Sequence, residues 1–494
     1  MTAETKKQRT GREEWKLTMP EKVSYFLGRI GIYGEQALIP SMMNTFLIFN
    51  GVHLTSVALF TLIVKFIDAF DDLLFGFLVD KLDIKKSKLF CKVAGAGRYM
   101  PWIRCFIWIF PIVVVTFFLM PAQMSEGVKI VWFCVTYLLY DLSYTLVDVP
   151  TQALTMTITD VPEERNNLLT IGVVLITAIM YVMSMLQTVL ISESVGMSLA
   201  SVGIILAVLY ALCMVPFVFK VKEHNSEMKN VAEQKTQENY TLKEMFSALA
   251  HNRPYLILQL SGFIKAIAMT GSSVSLFVSF YLYGSSTAML IPGLVALVLG
   301  LAVQMLAPKI CKKYGNRNVC VACLVFSGAA GIAIYFAGWA NFTTVVVYVV
   351  FSGLLGALQT MSATYMMLQT IDYGKYVNER DTTGVFNSIN TFISKTAPSV
   401  ASSLGLVILA GFGWITVNAQ SFADLTSQNV AQPNSALNGL WVLTMLIPAI
   451  GALVAGILMM VFYKLTDDDA RLMSKCIAGE ISKEECDEKL SAKV

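Results

Sequence analysis

Apolar residues run in blocks of about 17 to 25 along most of the chain, broken by short polar connections, and that is the length an α-helix needs to cross the hydrocarbon core of a bilayer. Twelve such segments can be read, at 23–49, 56–80, 101–121, 129–153, 167–191, 197–220, 254–283, 287–307, 317–340, 343–371, 384–412 and 436–463. The longest polar connection, 221–253, lies between the sixth and the seventh. It divides the segments six and six, as a pseudo-repeat would. A faint internal echo agrees: GFLVDKLDIKKSK follows the second segment and APKICKKYGNR the eighth, each a basic turn at the same place in its half. The pattern predicts an all-α membrane protein of twelve transmembrane helices in two pseudo-symmetric six-helix bundles. Its expected parts are an arm at 1–22, a first bundle at 23–220, a middle loop at 221–253, a second bundle at 254–463 and a tail at 464–494. The tail reads as a solvated amphipathic helix, capped near Thr466 and opened by Asp467, Asp468 and Asp469.

Composition points the same way. Of 494 residues, 55% are hydrophobic and only 14% charged, against about 25% charged in soluble domains, and mean hydropathy is +0.62. With 37 Lys and Arg against 34 Asp and Glu, the net charge of +3 provides no basic field for nucleic acid. All but six of those cations fall in the N-terminal arm, the connections between even and odd segments, and the tail. The six are Arg29, Lys65, Arg104, Lys129, Lys265 and Lys395. By the positive-inside rule both termini are cytoplasmic, in an integral multi-pass protein of the plasma (inner) membrane. The polar N-terminus lacks the short apolar stretch and small-residue site of a cleaved signal.

Catalytic and metal chemistry find little support. Cys320 and Cys323 have CxxC spacing but no second ligand pair, and His53, His224 and His251 form no ligand cluster. There is no nucleophile–base pair and no cofactor motif, so neither an enzyme nor a bound cofactor is expected.

The chemistry instead sits within the membrane, where an ionisable side chain costs roughly 2.5 to 3.5 kcal/mol at the bilayer centre and is a functional candidate by default. The acids are Glu35 on the first segment, Asp68, Asp71 and Asp72 on the second, and Asp141 and Asp148 on the fourth. In KFIDAFDDLLFG, Lys65, Asp68 and Asp72 share one helix face with Asp71 on its flank; in DLSYTLVDVP, Asp141, Tyr144, Thr145 and Asp148 form another stripe. Two such helices facing one another would make an oxygen-rich cage for a hard cation. Pairing with Lys65 and Arg29 merely to tie helices together is the simpler reading of any single acid. For the set it leaves surplus negative charge, which a bound monovalent cation or shared protons would answer. The eleventh segment, GVFNSINTFISKTAPSVASS, carries Ser388, Asn390, Thr391, Lys395 and Ser399 and is expected to line a polar cavity, with Lys395 as a buried ammonium. Lys265 on the seventh, next to MTGSS, can snorkel or pair.

Four motifs in order, KFIDAFDDLLFGFLVD, GRYMPW, YTLVDVP and IDYGKY, carry a resemblance. Together they resemble the glycoside-pentoside-hexuronide:cation symporters, the melibiose permease group of the major facilitator superfamily, over nearly the whole chain. The resemblance implies a cation site at Asp68, Asp72 and Asp148 with the hydroxyl of Thr145, and assigns the polar pair and lysine of the eleventh segment to Asn390, Thr391 and Lys395. Lys65 stands where relatives tend to have Arg, and Asp141 falls outside the motif; with Lys395 they are candidates for a coupling charge network. On the sugar side Tyr144 is retained, whereas Tyr33, Gln152, Val173 and Thr360 replace the group's Asp, Trp, Arg and Trp, and KLFCKVA is inserted after the second segment. The implied substrate positions are thus Tyr33, Tyr144, Gln152, Thr360, Asn390, Thr391 and Lys395. The expected function is symport of a sugar or glycoside, meaning a glycoside, pentoside or hexuronide, with Na+ or H+ by alternating access. A cation-coupled carrier of an amphiphilic, lipid-like solute and a non-transporting membrane sensor are the alternatives.

Overall fold

The computed structural model describes residues 16–81, 97–121, 123–159, 161–224, 249–378, 383–477 and 479–490. The first 15 residues, the KLFCKVA insertion and most of the 221–253 connection fall outside them. Helix is present at each of the twelve apolar segments. Among the described residues, ten helical stretches are long and apolar enough to cross a membrane, and Leu54–Ile67 is a shorter apolar one. Large apolar side chains on their outer faces, such as Met305 at 82% exposure and Phe336 at 79%, suit a lipid surround rather than water.

The chain separates into two compact units. The first takes in residues 1–52, 66–236 and 418–427, and the second 53–65, 237–417 and 428–494. The first contains α1 (Met19–Phe49), the greater part of α2 (Leu54–Lys81), α3 (Met100–Phe106), α4 (Ile109–Phe118), α5 (Glu126–Thr157), α6 (Pro162–Ile191) and α7 (Leu199–Lys220). Its closest helix pair is α1 on α7, and the reason is in the sequence. Gly28, Gly31 and Gly34 recur every three residues on one face of α1, and a Cβ at any of them would come within 2.2 to 2.6 Å of Phe217, Met214 or Tyr210. Small residues let membrane helices approach backbone to backbone. Across the unit, Phe46, Phe117, Phe118, Phe133 and Tyr137 form a run of tilted and edge-on rings.

Two carboxylates tie the ends of this unit. Glu164, fully buried, pairs with Lys22 at 2.8 Å and accepts from the backbone of Lys16 and Leu17 and the hydroxyl of Thr159. Glu223 accepts from the backbone N–H groups of Arg98, Tyr99 and Met100 at 2.8 to 2.9 Å, capping the start of α3. Gly97, first residue of the GRYMPW motif, stands at φ +102°, and a Cβ there would meet Glu223 Oε1 at 2.3 Å. Residues 418–427 also belong here: Ala419 N donates to Phe49 O, Leu199 N donates to Gln420 O, and the Phe422 ring packs on Phe49.

The second unit contains α8 (Arg253–Ile267), α9 (Ser275–Tyr283), α10 (Leu290–Tyr314), α11 (Asn316–Ala337), α12 (Phe342–Asn378), α13 (Thr383–Gly411), α15 (Asn434–Trp441) and α16 (Ile447–Phe462), while the short α14 (Phe422–Ser427) lies in the 418–427 strap. Several apolar segments are not continuous α-helix. The third bends between α3 and α4. The seventh breaks into a 3₁₀ turn at Thr270–Val274, with Thr270 bonded to Leu443 O, and the twelfth carries a π turn at Val442–Leu446 just before Pro448, which has no N–H to give the preceding turn.

The tail forms the expected amphipathic helix, with Asp468, Arg471 and Lys475 exposed on one face, while its other face is packed against the protein. Thr466 caps α17 (Asp467–Ile477) by accepting from Asp469 N, and Asp469, Ala470 and Met473 are buried, as is Cys486 on α18 (Lys483–Lys489). Asp467 accepts from Asn316 N, Asn316 Nδ2 and Gln369 Nε2, each at 2.8 Å, and Tyr376 of the IDYGKY motif donates to Asp487 at 2.5 Å. Charge pattern foretells a polar face; it does not reveal the apolar floor of Tyr376, Tyr463 and Leu465 on which the other face rests.

Candidate cation and substrate site

The polar focus of the first unit is Asp148, on α5. It is 8% exposed, and one oxygen, Oδ2, accepts from Gln152 Nε2 at 2.7 Å one helical turn further on. The other, Oδ1, is buried without a partner of hydrogen-bonding geometry among the described residues. The phenols of Tyr144 and Tyr33 and the guanidinium of Arg29 lie close enough to act on the carboxylate. Arg29 is not in a direct ion pair with it. Its guanidinium stands over the Tyr33 ring at 4.8 Å and the Tyr25 ring at 5.9 Å. Tyr144 is in turn braced against Phe110 at 5.7 Å.

This arrangement follows from helix geometry. Arg29 and Tyr33 are one turn apart on α1, and Tyr144, Asp148 and Gln152 succeed one another at four-residue steps on α5, so two stripes meet. A carboxylate with a free oxygen, surrounded by phenol and amide groups, offers hard donors for a monovalent cation or a proton, and hydroxyl-binding groups for a polyol beside it.

The other expected residues divide as follows. Thr145, 1% exposed, and Asp141, 4% exposed, are buried along α5, three and seven residues before Asp148. Lys65 is half-buried on α2. Asp68, Asp71 and Asp72 lie on the same helix, but their side chains fall outside the described residues, as do those of Val173 and Ser388. On the second unit, Asn390 accepts from Gln259 Nε2 at 3.2 Å, while Thr391 and Thr360 are exposed and each donates to its own helix, to Asn387 O and Gly356 O. Lys395 corrects one expectation: it is exposed, on the same open face as Thr391, rather than buried. The spacing located the polar face of α13, but burial of that face depends on what packs against it. Lys265 meets no acid among the described residues; it donates to Gln359 Oε1.

Two partners, Gln259 and Arg29, were not read from sequence as site residues, and one contact of Gln152, itself an expected substrate position, was not foreseen. Gln259, within the apolar LILQLSGF, carried a signal as a lone amide in a membrane segment. Arg29 appeared only as a possible tie between helices. The Gln152 contact to Asp148 is a plain i,i+4 relation, hidden by treating Gln152 as a substrate position alone.

The profile of the family described as MFS/sugar transport protein matches residues 24–467. The isoprimeverose transporter of Lactiplantibacillus pentosus is 25% identical over 448 residues, covering 88% of this chain and 87% of that one. An uncharacterised symporter, YnaJ, of Bacillus subtilis (strain 168) is 24% identical over 469 residues, covering 92% and 93%. Among solved structures, a bacterial homologue of the human lysosomal transporter Spinster, inward-facing and unoccupied, superposes with a TM-score of 0.63 over 90% of this chain and 98% of that one, at 13% identity. That likeness speaks to the fold, the all-α fold of the major facilitator superfamily. With a profile match spanning nearly all of its length, the chain belongs to the MFS/sugar transport protein family.

Proposed function

We propose that the protein is a secondary active transporter that moves a sugar or glycoside across the plasma membrane in symport with a monovalent cation, Na+ or H+, by alternating access. The observation that carries this reading is Asp148, a buried carboxylate with one oxygen left over among Tyr33, Tyr144 and Gln152, in a chain of a sugar transport family. In this proposal Asp68 and Asp72 join Asp148 and Thr145 to hold the cation. Tyr33, Tyr144 and Gln152 from the first half, with Thr360, Asn390, Thr391 and Lys395 from the second, hold the solute. Lys65, Asp141 and Lys395 make the charge network that lets cation and solute favour the same closed state.

The two halves, 23–220 and 254–463, rock about that site, with the arm at 1–22, the loop at 221–253 and the tail at 464–494 in the cytoplasm. The names of relatives support a glycoside, pentoside or hexuronide as cargo. The test is uptake into proteoliposomes from a panel of labelled glycosides, pentosides and uronides, with Na+ and pH gradients imposed separately. Accumulation of at least one sugar that follows one of the two gradients is expected. No gradient-driven uptake of any sugar, or uptake of lysolipids alone, would overturn the reading.

A further inference from the structure

Among the intramembrane acids whose side chains are described, one has no part in the site just described. Glu35 lies on α1 two residues after Tyr33, and two helical residues differ by about 200°, so it points to the opposite side of the helix from Tyr33 and Arg29. It is 0% exposed, and neither carboxyl oxygen has a hydrogen-bond partner among the described residues. The face it occupies is the glycine face, pressed onto Tyr210–Met214 of α7: Gly31 lies against Met214 and the Tyr210 carbonyl, and Gly34 against the Tyr210 ring.

Among the described residues the charged and titratable groups around it are few. On α7 the Tyr210 phenol acts on Glu35, with Cys213 beside Tyr210. On α5, Tyr140 gives its hydroxyl to the carbonyl of Gln36, and Asp141 follows it. On α6, Tyr181 lies six residues before Gln187, whose amide meets Ser41, itself six residues after Glu35 on α1. The described part of α4 has no titratable residue. On α1 itself Arg29 turns to Tyr33 and Asp148. None of these is a cation paired with Glu35. An ionised carboxylate here would forfeit its hydration, a penalty of several kcal/mol, with no hydrogen bond in return; the neutral acid forfeits far less. A metal ion or Na+ would fare no better, because one carboxyl group cannot supply the six or so oxygens a hard cation takes.

We infer that Glu35 is a proton-binding site on the back of α1, separate from the Asp148 cluster, that holds a proton and excludes the coupling cation. Its proton keeps the α1–α7 contact neutral. The linkage has a definite sign. The folded protein keeps this proton at pH values where the unfolded chain has lost it, so this residue lowers stability progressively as pH rises from about 4.3, the ordinary carboxyl value. Glutamine has the shape of the neutral acid and no proton to lose.

The experiment is thermal unfolding of the purified full-length protein in detergent from pH 5 to pH 8, parent against Glu35→Gln, with infrared spectra of both. The variant is expected to unfold at a higher temperature than the parent, by a margin that widens with pH to about 5 °C or more. The parent is expected to show a protonated-carboxyl band, absent from Glu35→Gln and unmoved by Na+. Glu35→Asp, which keeps the acid, should retain both the pH slope and a band should Glu35→Gln not fold. A margin that is flat or narrows with pH, or a carboxyl band shifted by Na+, would overturn the assignment.

Discussion

Glu223 shows how much one side chain settles. It lies beyond the sixth membrane segment, yet its carboxylate receives three consecutive backbone N–H groups at the start of α3, and Gly97 adopts a positive φ so that the chain can curl around it. Replacing it by Ala leaves those donors to water and is expected to destabilise the first unit by about 2 kcal/mol, at the upper end for loss of a helix cap. Denaturant unfolding of the parent and the variant, compared at the same conditions, measures it. An effect below about 0.5 kcal/mol would mean that water serves the cap as well as Glu223 does. The GRYMPW motif was visible in the sequence, but the partner that explains its glycine stands more than a hundred residues away and only the fold reveals it.

At the scale of elements, hydropathy located the helices because a membrane segment must satisfy its own backbone and be apolar for a fixed length. It could not locate the breaks within them. The 3₁₀ turn at Thr270–Val274 is held by Leu443 O, and the tail helix is held by Tyr376, Asn316 and Gln369, contacts set by packing rather than by local pattern. The α1–α7 pair gives an element-scale prediction. Gly31→Ala places a methyl 2.6 Å from Met214 Cγ and 2.7 Å from the Tyr210 carbonyl, and a backbone oxygen cannot rotate away. A loss of about 1–3 kcal/mol is expected from overpacking. Gly127→Ala, in the first turn of α5 with nothing within 4 Å, is the control and should be neutral or slightly stabilising. Equal melting temperatures for the two variants would show that the pair adjusts freely.

For the whole molecule, the candidate site was legible where chemistry is local and obscure where it is not. Asp148 stood out because a carboxylate in an apolar helix has few purposes, and Tyr144 because it lies a turn away on the same face. Tyr33 was expected beside Tyr144, but Arg29 joined them only when α1 was seen against α5, and Lys395 proved exposed rather than buried. If Asp148 holds the coupling ion, its loss should separate movement of the solute from its concentration. Asp148→Asn keeps the size and the Gln152 contact but gives up the charge. The most direct measurement compares, in proteoliposomes, uphill accumulation under an imposed cation gradient with sugar-for-sugar exchange at equilibrium. The account predicts that Asp148→Asn loses accumulation to below about one-hundredth of the parent, on the order of 3 kcal/mol, while exchange persists. Accumulation undiminished in Asp148→Asn would contradict it.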